Sequence, residues 1–244
     1  MELNADLGES WYTQRVGNDA ALMPYLDACN IACGFHGGDA LTMQRTVALA
    51  LKTGVAIGAH PSFPDRRNFG RAPMDPELDE LRAWLLYQVS ALQGMVRAAG
   101  GKLRHLKPHG ALYHYANQRD QVAAAVVETM VKCDIPILYG PPTGELRKAA
   151  AAAEKLFYAE GFVDRRYEDD LQLRSRSLPD ACIDDMRDAE EQVRMMVEEG
   201  HVRTASGRTI PIDVGTLCLH GDHPGAVEKA EAVRRVLDTI PPRG

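Results

Sequence analysis

No stretch of these 244 residues approaches the ~18 consecutive apolar residues of a membrane-spanning helix, and Met1–Asp6 shows neither a basic start nor an apolar run. A membrane span and a secretory signal are therefore not expected, and the cytoplasm is the expected location. Cysteine is scarce and odd in number. The five residues, Cys29, Cys33, Cys133, Cys182 and Cys218, are scattered in a way that suits reduced core thiols better than a disulfide framework. Cys29 and Cys33 are spaced C-x3-C, but no second cysteine pair completes a structural zinc site, so both are read as packing residues. Basic charge is not in excess: 28 Lys and Arg stand against 34 Asp and Glu, for a formal net charge of −6. The short Arg-containing stretches at 65–67, 164–166 and 174–176 are interleaved with other residue types, so no nucleic-acid footprint is expected.

Three chemical signatures are also missing. There is no G-x-x-x-x-G-K-[ST] phosphate loop and no G-x-G-x-x-G after a strand. Gly100-Gly101-Lys102 precedes a strand candidate instead of opening a helix. No G-x-S-x-G elbow supports a Ser-His-Asp hydrolase. Internal repeats, low-complexity stretches and composition shifts are absent too, which leads us to expect one domain over residues 1–244.

What is present is a rhythm. Short apolar runs at Glu2–Asp6, Ala28–Cys33, Val55–Ala59, Leu103–Lys107, Ile135–Tyr139, Leu156–Ala159 and Thr216–Leu219 read as seven strands. Helical patterns alternate with them, as repeated βα units and a parallel sheet require. The clearest helix follows Asp75, a candidate N-cap with Pro76 at the first position, and carries Leu78, Leu81, Leu85, Val89, Leu92 and Val96 on one face. Asp39 is a candidate cap for a helix with Met43, Val47 and Leu51 on one face, stopped by Gly54. Further helices are expected at Gln121–Lys132, Gly144–Glu154, Asp188–Glu199 and Pro224–Leu237. Two segments break the rhythm as insertions: polar Tyr167–Asp185, and Val202–Pro211, where Ser206-Gly207 suggests a hairpin.

In a parallel α/β fold, residues just beyond the carboxyl ends of strands share one crevice. Here those ends read Asn4-Ala5-Asp6-Leu7-Gly8-Glu9, Cys33-Gly34-Phe35-His36-Gly37-Gly38-Asp39, Gly58-Ala59-His60-Pro61, Lys107-Pro108-His109-Gly110 and Leu219-His220-Gly221-Asp222. Ionisable groups at five of seven strand ends point to an enzyme. Asp39 and Asp222, each before a helix, are equally readable as N-caps. Gly34-x-x-Gly37-Gly38-Asp39 could place an anion at a helix N-terminus. His105, His114 and His201 are read as packing or surface residues. Two chemistries remain open: Asp6, His60 and His109 holding a divalent metal that activates water, or general acid and base catalysis with Lys107 neutralising an oxyanion or phosphate.

Taken in order, N-A-D-L-G-E at 4–9, N-I-A-C-G-F-H-G-G-D at 30–39, G-A-H-P-S-F-P-D at 58–65, F-G-R at 69–71, L-K-P-H-G-A-L-Y at 106–113, F-V-D-R-R-Y at 162–167 and H-G-D at 220–222 resemble the LamB/YcsF family. Gly37, Ala40 and His223 depart from the family's pattern without removing an ionisable group. The resemblance implies an irregular (β/α)7 barrel of the glycoside hydrolase/deacetylase type. It also implies the first of three components of an ATP-dependent 5-oxoprolinase, which opens 5-oxo-L-proline to L-glutamate with ADP and phosphate as products. The implied partners are subunits B and C, with ATP and Mg2+ held in part by them.

On this footing Asp6, Glu9, His36, Lys107 and His109 are the expected catalytic residues. Asn4, Gly37, Asp39, Arg71, His220 and Asp222 are the expected substrate or phosphate contacts. Deacetylases of similar shape carry an Asp and two His on a metal, and Asp6, His60 and His109 match these by strand order. The reading carried forward is metal-free, with Asp6 as base and Lys107 and His109 steering the oxyanion. Its rivals are a stand-alone metal-dependent carbohydrate deacetylase and a non-catalytic module that binds a small carboxylate.

Overall fold

Seven strands pair in the order β1 (Glu2–Leu7), β2 (Ala28–Ala32), β3 (Ala56–His60), β4 (Leu103–Leu106), β5 (Ile137–Gly140), β6 (Leu156–Phe162) and β9 (Thr216–His220), and β9 returns to β1. Every pair is parallel, so the sheet is a closed barrel. The structure, a computed structural model, describes residues 1–223 and 225–241. Each of the seven expected strands is found, shifted by at most a few residues at its ends. The remaining two strands, β7 (His201–Arg203) and β8 (Thr209–Pro211), pair antiparallel as the hairpin expected around Ser206-Gly207.

The helices in chain order are α1 (Asp19–Leu22), α2 (Ala40–Thr53), α3 (Leu78–Ala98), α4 (Gly110–Gln118), α5 (Asp120–Lys132), α6 (Glu145–Ala152), α7 (Met186–Arg194) and α8 (Ala226–Thr239). α3 buries Leu81, Leu85, Val89, Leu92 and Val96, five side chains at the spacing that predicts it. Each contributes roughly 1.5–3 kcal/mol relative to exposure. Asp75 does not cap α3, which starts at Leu78 after Glu77. The Asp75 carboxylate instead pairs with Arg119 at 2.8 Å and accepts from the Tyr115 hydroxyl, so contacts across the fold take it. α1 and α4 have no counterpart in the helical pattern of the sequence; α4 follows directly on Lys107-Pro108-His109, which reads locally as a loop. The expected start of the last helix at Pro224 lies outside the described residues.

α2 begins as expected. Asp39 Oδ1 accepts from the Thr42 amide at 2.8 Å, and Gly54 closes the helix in the left-handed region. Asp39 Oδ2 accepts from the Tyr12 amide at 2.7 Å, so both carboxylate oxygens are engaged by backbone. The structure thus assigns Asp39 to capping and not to substrate or phosphate. The α2 N-terminus is filled by its own cap, which also removes the anion-site reading of Gly34–Asp39. Asp39→Ala is expected to cost about 1 kcal/mol, measured as a lower urea midpoint at unchanged slope.

Strand periodicity decides what fills the barrel. Successive side chains alternate between interior and helix layer. On β1 the residues Leu3, Ala5 and Leu7 belong to the apolar core between barrel and helices, whereas Asn4 and Asp6 join contacts across the barrel. The same parity puts Asn30 of β2, His60 of β3, His105 of β4, Glu160 of β6 and Cys218 of β9 inside. All are buried. A polar barrel interior is tolerable only where its groups bond to one another, and here many do. Asn4 Nδ2 donates to Thr216 Oγ1 at 2.8 Å and to the Leu217 carbonyl at 3.1 Å. Asn30 Nδ2 donates to Asn4 Oδ1 at 2.7 Å and Asp6 Oδ1 at 2.8 Å. Asn4 is therefore a buried strut below Asp6, not a substrate contact.

Candidate active site

His105, a packing or surface residue on the sequence reading, stands at the centre of this interior. Its Nε2 donates to Asn30 Oδ1 at 2.7 Å, and its ring stacks on Tyr139 at 4.1 Å between centroids. Burial holds its pKa well below the usual imidazole value, so the ring is neutral. With its oxygen engaged by His105 and its nitrogen by Asn4 and Asp6, the Asn30 amide has one orientation. Gly58 faces the same ring from β3, at a register shift between β3 and β4.

Above this layer Lys107 reaches three partners. Its Nζ lies 3.0 Å from Asp6 Oδ1, 2.8 Å from Glu160 Oε1 and 3.0 Å from Cys218 Sγ. Burial alone would lower the lysine pKa. The charges of Asp6, Cys218 and Glu160 outweigh it and hold the ammonium well above its ordinary value. Burial likewise would raise Asp6, but His60 and Lys107 hold its carboxyl well below the usual range. Asp6 is thus ionised at neutral pH. Glu160 is fully buried, and neither its oxygens nor the nearby Tyr113 hydroxyl makes a well-directed hydrogen bond among the described residues.

Beside Asp6 the loop ends bring histidines together. His60 Nε2 stands 3.3 Å from Asp6 Oδ2 and 2.9 Å from His109 Nδ1. His36 stacks on His109 at 3.7 Å with the rings 4° from parallel, and its Nε2 is 3.1 Å from Glu9 Oε1. Burial drives the His36 and His109 pKa values well below normal and that of Glu9 well above, the last reinforced by the charges of Asp6 and Asp222. Among the described residues two groups could hold an ion: Glu9, His36, His60 and His109, and separately Asp6, Cys218 and His220. Of the expected set of Asp6, His60 and His109, the two histidines fall in the first group and Asp6 in the second, while Asp6 Oδ2 stays 3.3 Å from His60 Nε2.

A cleft of about 440 Å3 opens over these groups, within the range of small-molecule sites. Asp6, His60, Lys107 and His109 form its floor, and Arg71 and Arg176 line its walls. Arg71 pairs with Asp222 at 2.7 Å, joining the loop after β3 to the end of β9. His220 also lines the cleft, with Nδ1 3.0 Å from Asp164 Oδ1. The insertion at 167–185 supplies Gln172–Ser177 to one wall. Gly37 is not in the lining; its backbone packs on Glu9, where a Cβ would meet the Glu9 carbonyl at 2.8 Å. His114, peripheral on the sequence reading, reaches the cleft from α4.

The Asp164–His220 pair has a pH signature. Burial pulls Asp164 up, but His220, by charge and hydrogen bonding, brings it down to about 2. A folded value below the ordinary aspartate value of 3.8 means stability that is complete above roughly pH 4 and lost as pH falls through about 2. Asp164→Asn is therefore expected to flatten the acid limb of the stability curve by about 2 kcal/mol, read from unfolding titrations at stepped pH; an unaltered limb would count against the pair.

Residues 1–240 match the family model described as LamB/YcsF family. The A subunit of 5-oxoprolinase from Methylococcus capsulatus is 48% identical over 238 residues, spanning 97% of this chain and 92% of that protein. Its counterpart from Bordetella pertussis is 44% identical over 239 residues, spanning 98% and 95%. A crystal structure of the lactam utilization protein from Thermus thermophilus superposes with a TM-score of 0.90 at 39% identity, covering 98% of this chain and 96% of that one. With its seven-stranded barrel and rim of ionisable strand ends, the chain belongs to the LamB/YcsF family.

Proposed function

We propose that the chain is the ring-opening component of an ATP-dependent 5-oxoprolinase and acts with two further subunits, B and C, on 5-oxo-L-proline. The observation that carries this reading is the buried Lys107 ammonium between Asp6 and Glu160 at the floor of an arginine-walled cleft. A five-membered lactam is an unactivated amide. Transfer of the ATP γ-phosphoryl group to its carbonyl oxygen makes the carbon open to water. Water adds to that carbon, the ring C–N bond breaks and the nitrogen takes a proton. Hydrolysis of the resulting acyl phosphate by a second water gives glutamate and phosphate.

The site has groups suited to these needs. Ionised Asp6 accepts a proton from the attacking water. Lys107 offers a fixed positive charge to the oxygen that gains negative charge, and it does so inside a water-poor pocket where such charges count most. His109, expected to steer that oxygen as well, borders the same floor with its Nε2–H committed to the Phe69 carbonyl at 2.8 Å, so that task falls to Lys107. Arg71 and Arg176 suit the substrate carboxylate and phosphoryl oxygens. ATP with Mg2+ is assigned mainly to the partner subunits, since the chain has no phosphate-cradling loop.

Reconstitution tests this. The chain with subunits B and C should release glutamate and phosphate from 5-oxoproline and ATP. The chain alone should not, and Asp6→Asn should reduce turnover by about 10²–10⁴-fold while the complex still assembles. Full turnover by Asp6→Asn would remove Asp6 from the chemistry. Deacetylation of acetylated sugars by the chain alone, without ATP, would favour the deacetylase reading instead.

A further inference from the structure

The backbone around His60 and His109 fixes which ring nitrogens carry hydrogen. His60 Nδ1 lies 2.7 Å from the Lys107 carbonyl oxygen, and His109 Nε2 lies 2.8 Å from that of Phe69. A carbonyl oxygen only accepts, so each of these nitrogens is the N–H. In neutral rings the opposite nitrogens, His60 Nε2 and His109 Nδ1, then present lone pairs, and they face each other at 2.9 Å. Two lone pairs at that separation repel unless a cation lies between them.

More donors point to the same place. Glu9 Oε1 is 3.8 Å from His109 Nδ1 and 3.1 Å from His36 Nε2. One atom from each of Glu9, His36, His60 and His109 falls within 4.8 Å of the others. All four residues are buried. A single shared proton would serve only the His60–His109 contact, whereas one ion would serve that contact and the Glu9–His36 contact at 3.1 Å together.

The surrounding loop is shaped to hold these rings. Phe69 has a positive φ of 56°, an unusual backbone for a bulky residue, and its carbonyl is the one that receives His109 Nε2–H. Gly70 follows at φ +66°, where a Cβ would meet both His109 and His36 at 2.8 Å. The chain thus accepts strain in order to lay backbone against the two stacked rings. Carbonyl oxygens behind ligating histidines are the usual means of setting ring tautomer and direction in metal centres.

We infer that Glu9, His36, His60 and His109 form a binding site for one divalent ion of the zinc type. Three imidazoles and one carboxylate suit Zn2+ or Co2+, and not Mg2+ or Ca2+, which favour oxygen donors. Asp6 lies outside this set. Its Oδ1 is held by Asn30 and Lys107, its Oδ2 lies 3.3 Å from His60 Nε2 but is not grouped with the other three ligand atoms, and the other candidate group of Asp6, Cys218 and His220 already has the Lys107 ammonium 3.0 Å from both Asp6 and Cys218. Ion uptake displaces any proton shared by the histidine pair, so binding releases protons and strengthens as pH rises. The inference does not depend on which reaction the protein performs.

Calorimetric titration of the chelator-stripped chain with Zn2+, and of the same protein with Co2+ followed by its visible absorption, tests it. One equivalent of each ion should bind. His36→Gln and Glu9→Gln should weaken affinity by more than about 100-fold, with circular dichroism and Tm confirming that the variants fold. Asp6→Asn should bind within a few fold of the parent. Absence of stoichiometric Zn2+ and Co2+ binding would overturn the site and leave a proton between His60 and His109. Loss of binding in Asp6→Asn together with its retention in Glu9→Gln would overturn the ligand set.

Discussion

A Lys107→Met variant is expected to lose at least about 10³-fold in lactam-opening rate and roughly 3–5 kcal/mol of stability at neutral pH. The side chain is buried, with Asp6 at 3.0 Å and Glu160 at 2.8 Å from its ammonium. Met replaces the methylene stem but not the charge. The two carboxylates are then buried without this compensation. In the parent, His60 and Lys107 hold the Asp6 carboxyl well below its ordinary range, and a group depressed in this way contributes stability that is present above its unfolded pKa and lost as pH falls through the folded one. The stability gap between parent and variant should therefore narrow as pH falls below about 4, as followed by urea unfolding. Adding Glu160→Gln should recover part of the stability without restoring turnover. If the double variant regained activity, Lys107 would serve only to neutralise Glu160.

Gly58→Ala should be nearly as damaging, although it adds one methyl group. A Cβ at Gly58 would fall within the His105 ring. That ring has nowhere to go, since it is wedged against Tyr139 and bonded to Asn30. Overpacking at a rigid position costs about 1–3 kcal/mol or more, so a drop of about 3 kcal/mol is expected. Displacing His105 also frees the Asn30 amide, whose nitrogen holds Asp6 Oδ1, so turnover should fall with stability. Pairing Gly58→Ala with His105→Ala should relieve the overpacking but not the loss of turnover, because Asn30 remains unheld. A Gly58→Ala protein as stable as its parent would show that the interior yields.

The legible part of the site is the part that lies beyond the strand ends. His60, Lys107, His109, Arg71 and His220 line one cleft, and Glu9, His36 and Asp222 sit against these residues from outside its lining. The strands that carry them are visible as apolar runs in the right number and order. The residues that escape a sequence reading lie inside the barrel. Glu160 escapes because the apolar run of the sixth strand ends at Ala159, whereas the strand continues to Phe162. Asn30 reads only as the start of a motif, and His105 as a packing residue. One signal could find them: the parity of β1, β2, β4, β6 and β9, which puts Asp6, Asn30, His105, Glu160 and Cys218 on the inward face of their strands. In α/β barrels that face is usually filled by apolar side chains, which makes the pattern easy to overlook.

By itself the order of residues determined the alternation of strands and helices, the hairpin within 202–211, the capping of α2 and the family. These depend on local spacing, and local spacing is written along the chain. Only the closed barrel decided that Lys107 sits between Asp6 and Glu160 while His60 stands between Asp6 and His109, and that Asn4 and Asp39 are spent on holding the fold. Such assignments depend on which atoms remain unbonded after distant strands meet. That is set by strand register, ring orientation and the carbonyls behind each histidine, none of which has a counterpart in the one-dimensional sequence.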